Sequence, residues 1–156
     1  MRSCSRSCHV RKNNRNQFGS RSCTSSTRKK IVFETGRKTP HFSQKSIDNL
    51  ITVHPYLYTI FTNVIKVYDC SILCGHREKT AQNLAYYNGK SSFNWPNSKH
   101  NKMPSLAVDA APYPINWQNI KEFYHLWGIV RGIAIARGFR VRWGGDWGDY
   151  CHFELL

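Results

Sequence analysis

The chain has 156 residues, of which 40% are apolar and 13% aromatic, and this composition suits one domain with a hydrophobic core. Its formal net charge of +14 indicates a polyanionic partner, which is nucleic acid, a membrane surface or an anionic cell wall. No apolar run approaches the roughly 20 residues of a membrane span, and the basic N-terminus lacks the apolar segment of a secretory signal.

Residues 1–40 form one compositional block, rich in Arg, Lys, Ser and Asn and poor in apolar residues. Such a segment buries too little surface to fold alone, so we expect a basic, disordered N-terminal extension. It is either simply solvated or a tether to a polyanion. The cysteines and histidine of CSRSCH (residues 4–9) have no second ligand cluster after them, which favours incidental thiols over a zinc site.

The first half of the remaining segment, 41–156, predicts two helices and a strand. Ser43 is expected to cap a helix, and Pro55 to begin a second one. The second helix has a buried stripe at helical spacing, formed by Leu57, Ile60, Phe61, Val64 and Ile65. CSILC (70–74) is expected to be a short buried strand with Cys70 and Cys74 as buried free thiols.

The second half alternates helices with short strands. REKTAQNLAYYNG predicts a short helix ended by Gly89, and a polar loop (91–104) leads to the strand LAVDA. The longest helix is expected over 116–137, followed by the strands FRVRW and CHFELL around the turn GGDWGD. This order predicts an α+β fold, in which a small antiparallel sheet is backed by helices.

One acidic residue stands out within AVDAAP. Asp109 lies among apolar neighbours, in a chain with only nine acidic residues. Because a carboxylate in an apolar run is costly unless a positive group meets it, either a salt bridge or a metal ion is expected there.

Three residues form a candidate metal site, namely His100 before the strand, Asp109 in the strand and His152 at the start of the last strand. Two imidazoles and one carboxylate leave one position open on zinc, as in catalytic sites. A general base is then needed beside the attacking water, and Asp149 is suitably close to His152 in the sequence. Spacing alone does not exclude that each histidine is an ordinary surface residue.

Several motifs in order resemble one family. SKHNKMPSLAVDAAPYP, RWGGDW and the terminal HFELL are similar to the zinc peptidases of bacterial cell-wall peptides, which share the Hedgehog/DD-peptidase fold. These are the D-alanyl-D-alanine carboxypeptidases and the phage L-alanyl-D-glutamate endolysins. Their pattern is S-x-H, then A-x-D, and later D-x-x-H before an F-E-L strand. The resemblance covers about 41–156 and leaves the N-terminal block outside.

The resemblance implies a role for each matching residue. His100, Asp109 and His152 would bind Zn²⁺, and Asp149 would be the general base. Arg77 would steady the carbonyl oxygen of the substrate. Gln82 follows this arginine in the motif on the next helix, and Ser98 would orient the loop that carries the histidine ligand.

The implied function is a zinc-dependent endolysin that cleaves a peptidoglycan stem peptide, with the L-alanyl-D-glutamate bond as the expected target. D-alanyl-D-alanine carboxypeptidase activity is the alternative within the class. The expected partners are the stem peptide and the anionic wall, with no membrane span and a monomeric state. A phage enzyme made in the host cytoplasm, without a signal peptide, would reach the wall through a holin pore.

Two features depart from the family pattern. Nine positions separate His100 from Asp109, and the segment between GGDW and His152 is short, with Cys151 where relatives often have proline. The short segment leaves open a second class of function, a wall-binding module that kept the fold and lost catalysis. The basic charge allows a third, a nucleic-acid-binding protein, although no known nucleic-acid-binding motif is present.

Overall fold

The computed structural model describes residues 39–156, so the extension expected over 1–40 lies almost entirely outside the described residues. The described part contains four helices and four strands. They are α1 (Gln44–Leu50), α2 (Pro55–Val64), β1 (Cys70–Cys74), α3 (Lys79–Tyr87), β2 (Ala107–Pro112), α4 (Ile120–Ala136), β3 (Val141–Trp143) and β4 (His152–Leu155). Two short 3₁₀ turns carry site residues: the His100 turn (Lys99–Asn101) and the Gly144 turn (Gly144–Trp147).

The helix boundaries follow the expected local signals. The Ser43 hydroxyl accepts from the backbone of α1, and Pro55 is the first residue of α2. Gly89 and Gly138 follow α3 and α4 with φ of 68° and 70°, a conformation that favours glycine. Helix α4 begins later than expected from the sequence. The Asn116 side chain accepts from a backbone N–H two residues ahead, which forms a turn that competes with the helix.

The four strands form one antiparallel sheet in the order β1-β2-β4-β3. The expected α+β fold with a small antiparallel sheet is therefore confirmed. The last strand in the sequence lies inside the sheet, between β2 and β3. This topology brings the C-terminal HFEL segment beside AVDAAP.

One face of the sheet packs against α2 and α4 and forms the core. Val108 pairs with Phe153 on this face, and both are fully buried. Phe61 of α2 meets Phe153 edge to face, with ring centroids 5.5 Å apart. Because side chains alternate along a strand, Asp109 and His152 lie on the opposite face. The core thus uses one face of the sheet and leaves the other for polar chemistry.

A β-bulge interrupts the pairing of β1 with β2. Ile72 lies opposite Ala110, but Cys74 lies opposite Asp109, so two steps along β1 match one step along β2. The extra residue turns Cys74 onto the face of Asp109, away from the core face. Cys70 is buried as expected, at 3% exposure, whereas Cys74 is only half-buried. The expectation that both cysteines are buried free thiols was therefore wrong for Cys74.

None of the helices within 39–156 combines the length and the apolar composition of a membrane span.

Candidate metal centre and active site

The three expected metal ligands meet at one point on the polar face of the sheet. The Nε2 atom of His100 lies 3.1 Å from Oδ1 of Asp109 and 3.2 Å from Nδ1 of His152. The third distance, from His152 Nδ1 to Asp109 Oδ1, is 3.1 Å. Three potential ligand atoms therefore form a nearly equilateral triangle.

Backbone structure holds each of these side chains. Asp109 and His152 are directly opposite each other on β2 and β4. His100 lies in the 3₁₀ turn Lys99–Asn101, and Ser98 caps the start of this turn. The Ser98 hydroxyl accepts a hydrogen bond from the His100 N–H at 3.2 Å. Asn101 closes the capping box by accepting from the Ser98 N–H at 3.1 Å. Ser98 thus fixes the turn that presents the first histidine.

The second nitrogen of each histidine is engaged elsewhere. His100 Nδ1 lies 2.7 Å from the carbonyl oxygen of Gly75, which only accepts, so this nitrogen carries the proton. His152 Nε2 lies 3.2 Å from Oε2 of Glu154 and donates to that carboxylate. In the neutral tautomers so fixed, His100 Nε2 and His152 Nδ1 present lone pairs to each other and to Asp109.

This arrangement of acceptors needs a cation. Bonds of 2.0–2.1 Å to a tetrahedral zinc ion separate ligand atoms by about 3.3 Å, close to the distances observed here. Without a metal ion, a proton on His100 Nε2 would take the place of the cation: burial would lower the pKa of His100, but the hydrogen bond that the protonated ring donates to Asp109 raises that pKa to about 10. Burial would likewise raise the pKa of Asp109, but both histidines hold it well below its usual range. The donor set fits a zinc ion, to which these three residues would leave one coordination position.

Asp109 also forms the salt bridge that the sequence offered as the alternative. Its Oδ2 accepts from the Arg77 guanidinium at 3.1 Å, while Oδ1 faces the histidines. Arg77 in turn donates to the Gln82 side chain at 3.3 Å. Gln82 is fully buried, and its oxygen also accepts from Asn101 at 3.2 Å. The two residues that the family motif singled out thus belong to one hydrogen-bond network around the Asp109 carboxylate.

Glu154 is a site residue that sequence reasoning missed. It is 5% exposed and receives hydrogen bonds from His152 and from Arg142, whose Nε lies at 2.8 Å. Lys99 adds a second cation at 3.5 Å. Burial would raise the pKa of Glu154, but its hydrogen bonds from His152 and Arg142 lower it. An acidic residue inside the apolar strand HFELL was the available signal, as anomalous as the aspartate inside AVDAAP.

Asp149, the expected general base, lies just after the Gly144 turn and is exposed. Its carboxylate accepts from the Cys151 thiol at 3.3 Å, and within residues 39–156 this carboxylate has no hydrogen bond to the side chains of the three expected ligands. Its backbone is fixed by hydrogen bonds to Gly144 and His152, at 2.9 and 3.2 Å. A Cβ on Gly144 would lie only 2.4 Å from the Asp149 carbonyl oxygen, so this tight packing requires glycine.

The fold and the cluster define a small α+β domain with a histidine–carboxylate site on an antiparallel sheet. Residues 39–154 match the family model of the phage L-alanyl-D-glutamate peptidases. Because this match spans most of the chain, the protein belongs to that family. The expected family and the expected activity, a peptidase that acts on peptidoglycan, are confirmed.

A solved structure supports the same assignment. The chain is similar to the Serratia marcescens L-Ala D-Glu endopeptidase ChiX, with 26% sequence identity and a TM-score of 0.64. The alignment covers 75% of this chain and 91% of ChiX. No curated protein matches the chain.

Proposed function

We propose that the protein hydrolyses the L-alanyl-D-glutamate bond of peptidoglycan stem peptides with a zinc ion held by His100, Asp109 and His152. The observation that carries the proposal is the triangle of lone-pair atoms with sides of 3.1–3.2 Å. Two imidazoles favour zinc over magnesium or calcium, which prefer oxygen ligands.

When bound, zinc polarises a carbonyl group and makes water a stronger acid. Asp149 then accepts a proton from the attacking water as its oxygen bonds to the scissile carbonyl carbon. The same carboxylate returns the proton to the nitrogen as the carbon–nitrogen bond breaks, and a free amine leaves. The exposure of Asp149 supports this role, because a carboxylate that shuttles protons must reach both water and substrate.

Arg77 has two tasks in this proposal. Its ion pair with Asp109 keeps the carboxylate oriented toward the histidines, with 3.1 Å between the paired atoms. The same guanidinium stabilises the negative charge that develops on the substrate carbonyl oxygen. The Gln82 side chain accepts a hydrogen bond from Arg77 and so holds the guanidinium in place, and Ser98 holds the His100 turn in place.

The setting follows from the charge and the family. A formal charge of +14 attracts the protein to the anionic wall of the target cell. We infer that a phage-encoded monomer, made in the host cytoplasm, reaches the wall from inside the infected cell.

Purified sacculi and a synthetic stem pentapeptide test the proposal. Incubation with the zinc-loaded protein should release a peptide with a new D-glutamate amino terminus, which mass spectrometry identifies. His152→Ala should abolish the product, and Asp149→Ala should lower kcat by about 10²–10⁴. Asp146→Ala is the matched control, because Asp146 is an exposed carboxylate of the adjacent turn.

The products separate the alternatives. Release of free D-alanine would assign the enzyme to the D-alanyl-D-alanine carboxypeptidases. Binding to sacculi without any new amino terminus would instead indicate a wall-binding module.

A further inference from the structure

Cys74 belongs to the metal centre by position, although no step proposed above uses it. The bulge in β1 sets Cys74 opposite Asp109, and Asp109 is itself opposite His152. Three neighbouring strands therefore present a row of cysteine, aspartate and histidine on one face of the sheet. Without the bulge, Cys74 would share the core face with Ile72.

The Cys74 thiol is close to two of the expected ligands. Its Sγ, a ring nitrogen of His100 and a carboxylate oxygen of Asp109 all lie within 4.8 Å of one another. Zinc–sulfur bonds of 2.3 Å and zinc–nitrogen bonds of 2.0–2.1 Å separate tetrahedral ligand atoms by roughly 3.6 Å. Binding would therefore require the cysteine side chain to move its sulfur by no more than roughly 1 Å toward the other ligand atoms. Its hydrogen-bond partner, the Gly75 carbonyl oxygen, is 3.6 Å away and holds the thiol only weakly.

We propose that Cys74 is a fourth protein ligand of the metal in the substrate-free enzyme. The inference rests on the proposed zinc site. On binding, the thiol loses its proton to solvent and a sulfur–metal bond forms, so metal uptake releases one proton from this residue. Four protein ligands close a zinc site. The thiolate must therefore dissociate before water and substrate enter, and the resting enzyme is held in a latent state.

Cobalt substitution in the full chain tests this ligand without relying on activity. A thiolate bound to Co²⁺ gives a charge-transfer band in the near ultraviolet, whereas nitrogen and oxygen ligands alone give only visible d–d bands. We expect the wild type with one equivalent of Co²⁺ to show the near-ultraviolet band. Cys74→Ser should lose it. Cys151→Ser should keep it, because Cys151 is also half-buried but packs against the hydrophobic core, and its thiol donates to Asp149.

Zinc affinity gives a second measurement. Loss of an outer partner of a metal ligand already weakens binding by about 10–100-fold. We therefore expect the zinc Kd of Cys74→Ser to rise at least about tenfold and that of Cys151→Ser to stay at the wild-type value. Circular dichroism shows whether each variant is folded. If Cys74→Ser is unfolded, Cys74→Ala is measured in its place.

Three results would overturn the inference. A near-ultraviolet band that survives Cys74→Ser comes from another thiol. The wild type could instead show visible bands without the near-ultraviolet band, and His152→Ala could lose those visible bands. This result would support the metal site and exclude Cys74 as a ligand. Equal cobalt spectra for the wild type and His152→Ala would overturn the metal site and the cysteine ligand together.

Discussion

Replacing Glu154 by glutamine should weaken metal binding while leaving the fold intact. Oε2 of Glu154 accepts from His152 Nε2 at 3.2 Å, and Oε1 accepts from Arg142. Glutamine keeps the shape but has one acceptor oxygen and a donor NH₂ group. The glutamine NH₂ group then faces a donor of either His152 or Arg142, and the negative charge beside the His152 ring is lost.

The size of the effect follows from these contacts. Loss of an outer-shell partner typically weakens metal binding by about 10–100-fold, and tenfold corresponds to about 1.4 kcal/mol. We expect an increase in the zinc Kd within this range for Glu154→Gln. The side chain of Arg142 is 50% exposed, so water takes over its freed hydrogen bonds and the free energy of unfolding should change little.

Competition with a chromophoric chelator at fixed pH measures the zinc Kd, and circular dichroism checks the fold. Glu122→Gln is the control, because Glu122 is a half-exposed carboxylate of α4 that contacts His125 and Tyr68 and none of the proposed ligands. If Glu154→Gln binds zinc as tightly as the wild type, then the Glu154 carboxylate does not tune His152, and the tautomer assignment fails.

Further predictions concern packing, titration and metal removal. Gly144→Ala should lose about 1–3 kcal/mol of stability in chemical denaturation, because the new Cβ overpacks against Asp149. The control is Gly128→Ala in α4, which should be neutral or stabilising because nothing lies within 4 Å of the new Cβ. Burial, together with its hydrogen bond to Glu122, raises the pKa of Tyr68. The neutral Tyr68 hydroxyl therefore contributes fully to stability below the ordinary tyrosine pKa, and this contribution declines as the pH rises above that pKa. The difference in the free energy of unfolding between the wild type and Tyr68→Phe should become smaller in alkali. A chelator should stop hydrolysis of sacculi and zinc should restore it; activity that persists at full chelation would contradict the metal site.

The sequence alone determined the elements and the family. Capping by Ser43, the proline that begins α2 and the glycines that follow α3 and α4 are local signals, since each acts through its own backbone conformation. The apolar stripe of α2 predicted its buried face correctly for the same reason. The ordered motifs around His100, Asp109 and His152 identified the family, although their roles as ligands remain a prediction.

The supporting partners of the site could be found only in part. Glu154 carried a usable signal, an acidic residue between two buried positions, but its partner could not be named before the strands were paired. The carbonyl oxygen of Gly75, which fixes the His100 tautomer, has no side-chain signature at all. Arg77 was expected at the substrate carbonyl, and its ion pair with Asp109 depends on how α3 follows β1.

Only the tertiary structure decided which residues share the site. The order β1-β2-β4-β3 brings His152 beside Asp109 across 43 positions of sequence, a pairing that strand propensity does not encode. The bulge places the Cys74 side chain on the same face of the sheet as Asp109. In a regular strand, the alternation of side chains would place it on the core face with Ile72. Local sequence sets φ, ψ and periodicity, whereas strand order and register are set by how the whole core packs. The sequence therefore predicted the elements and the family of this protein, and the packing of the sheet determined which side chains meet at the candidate metal site.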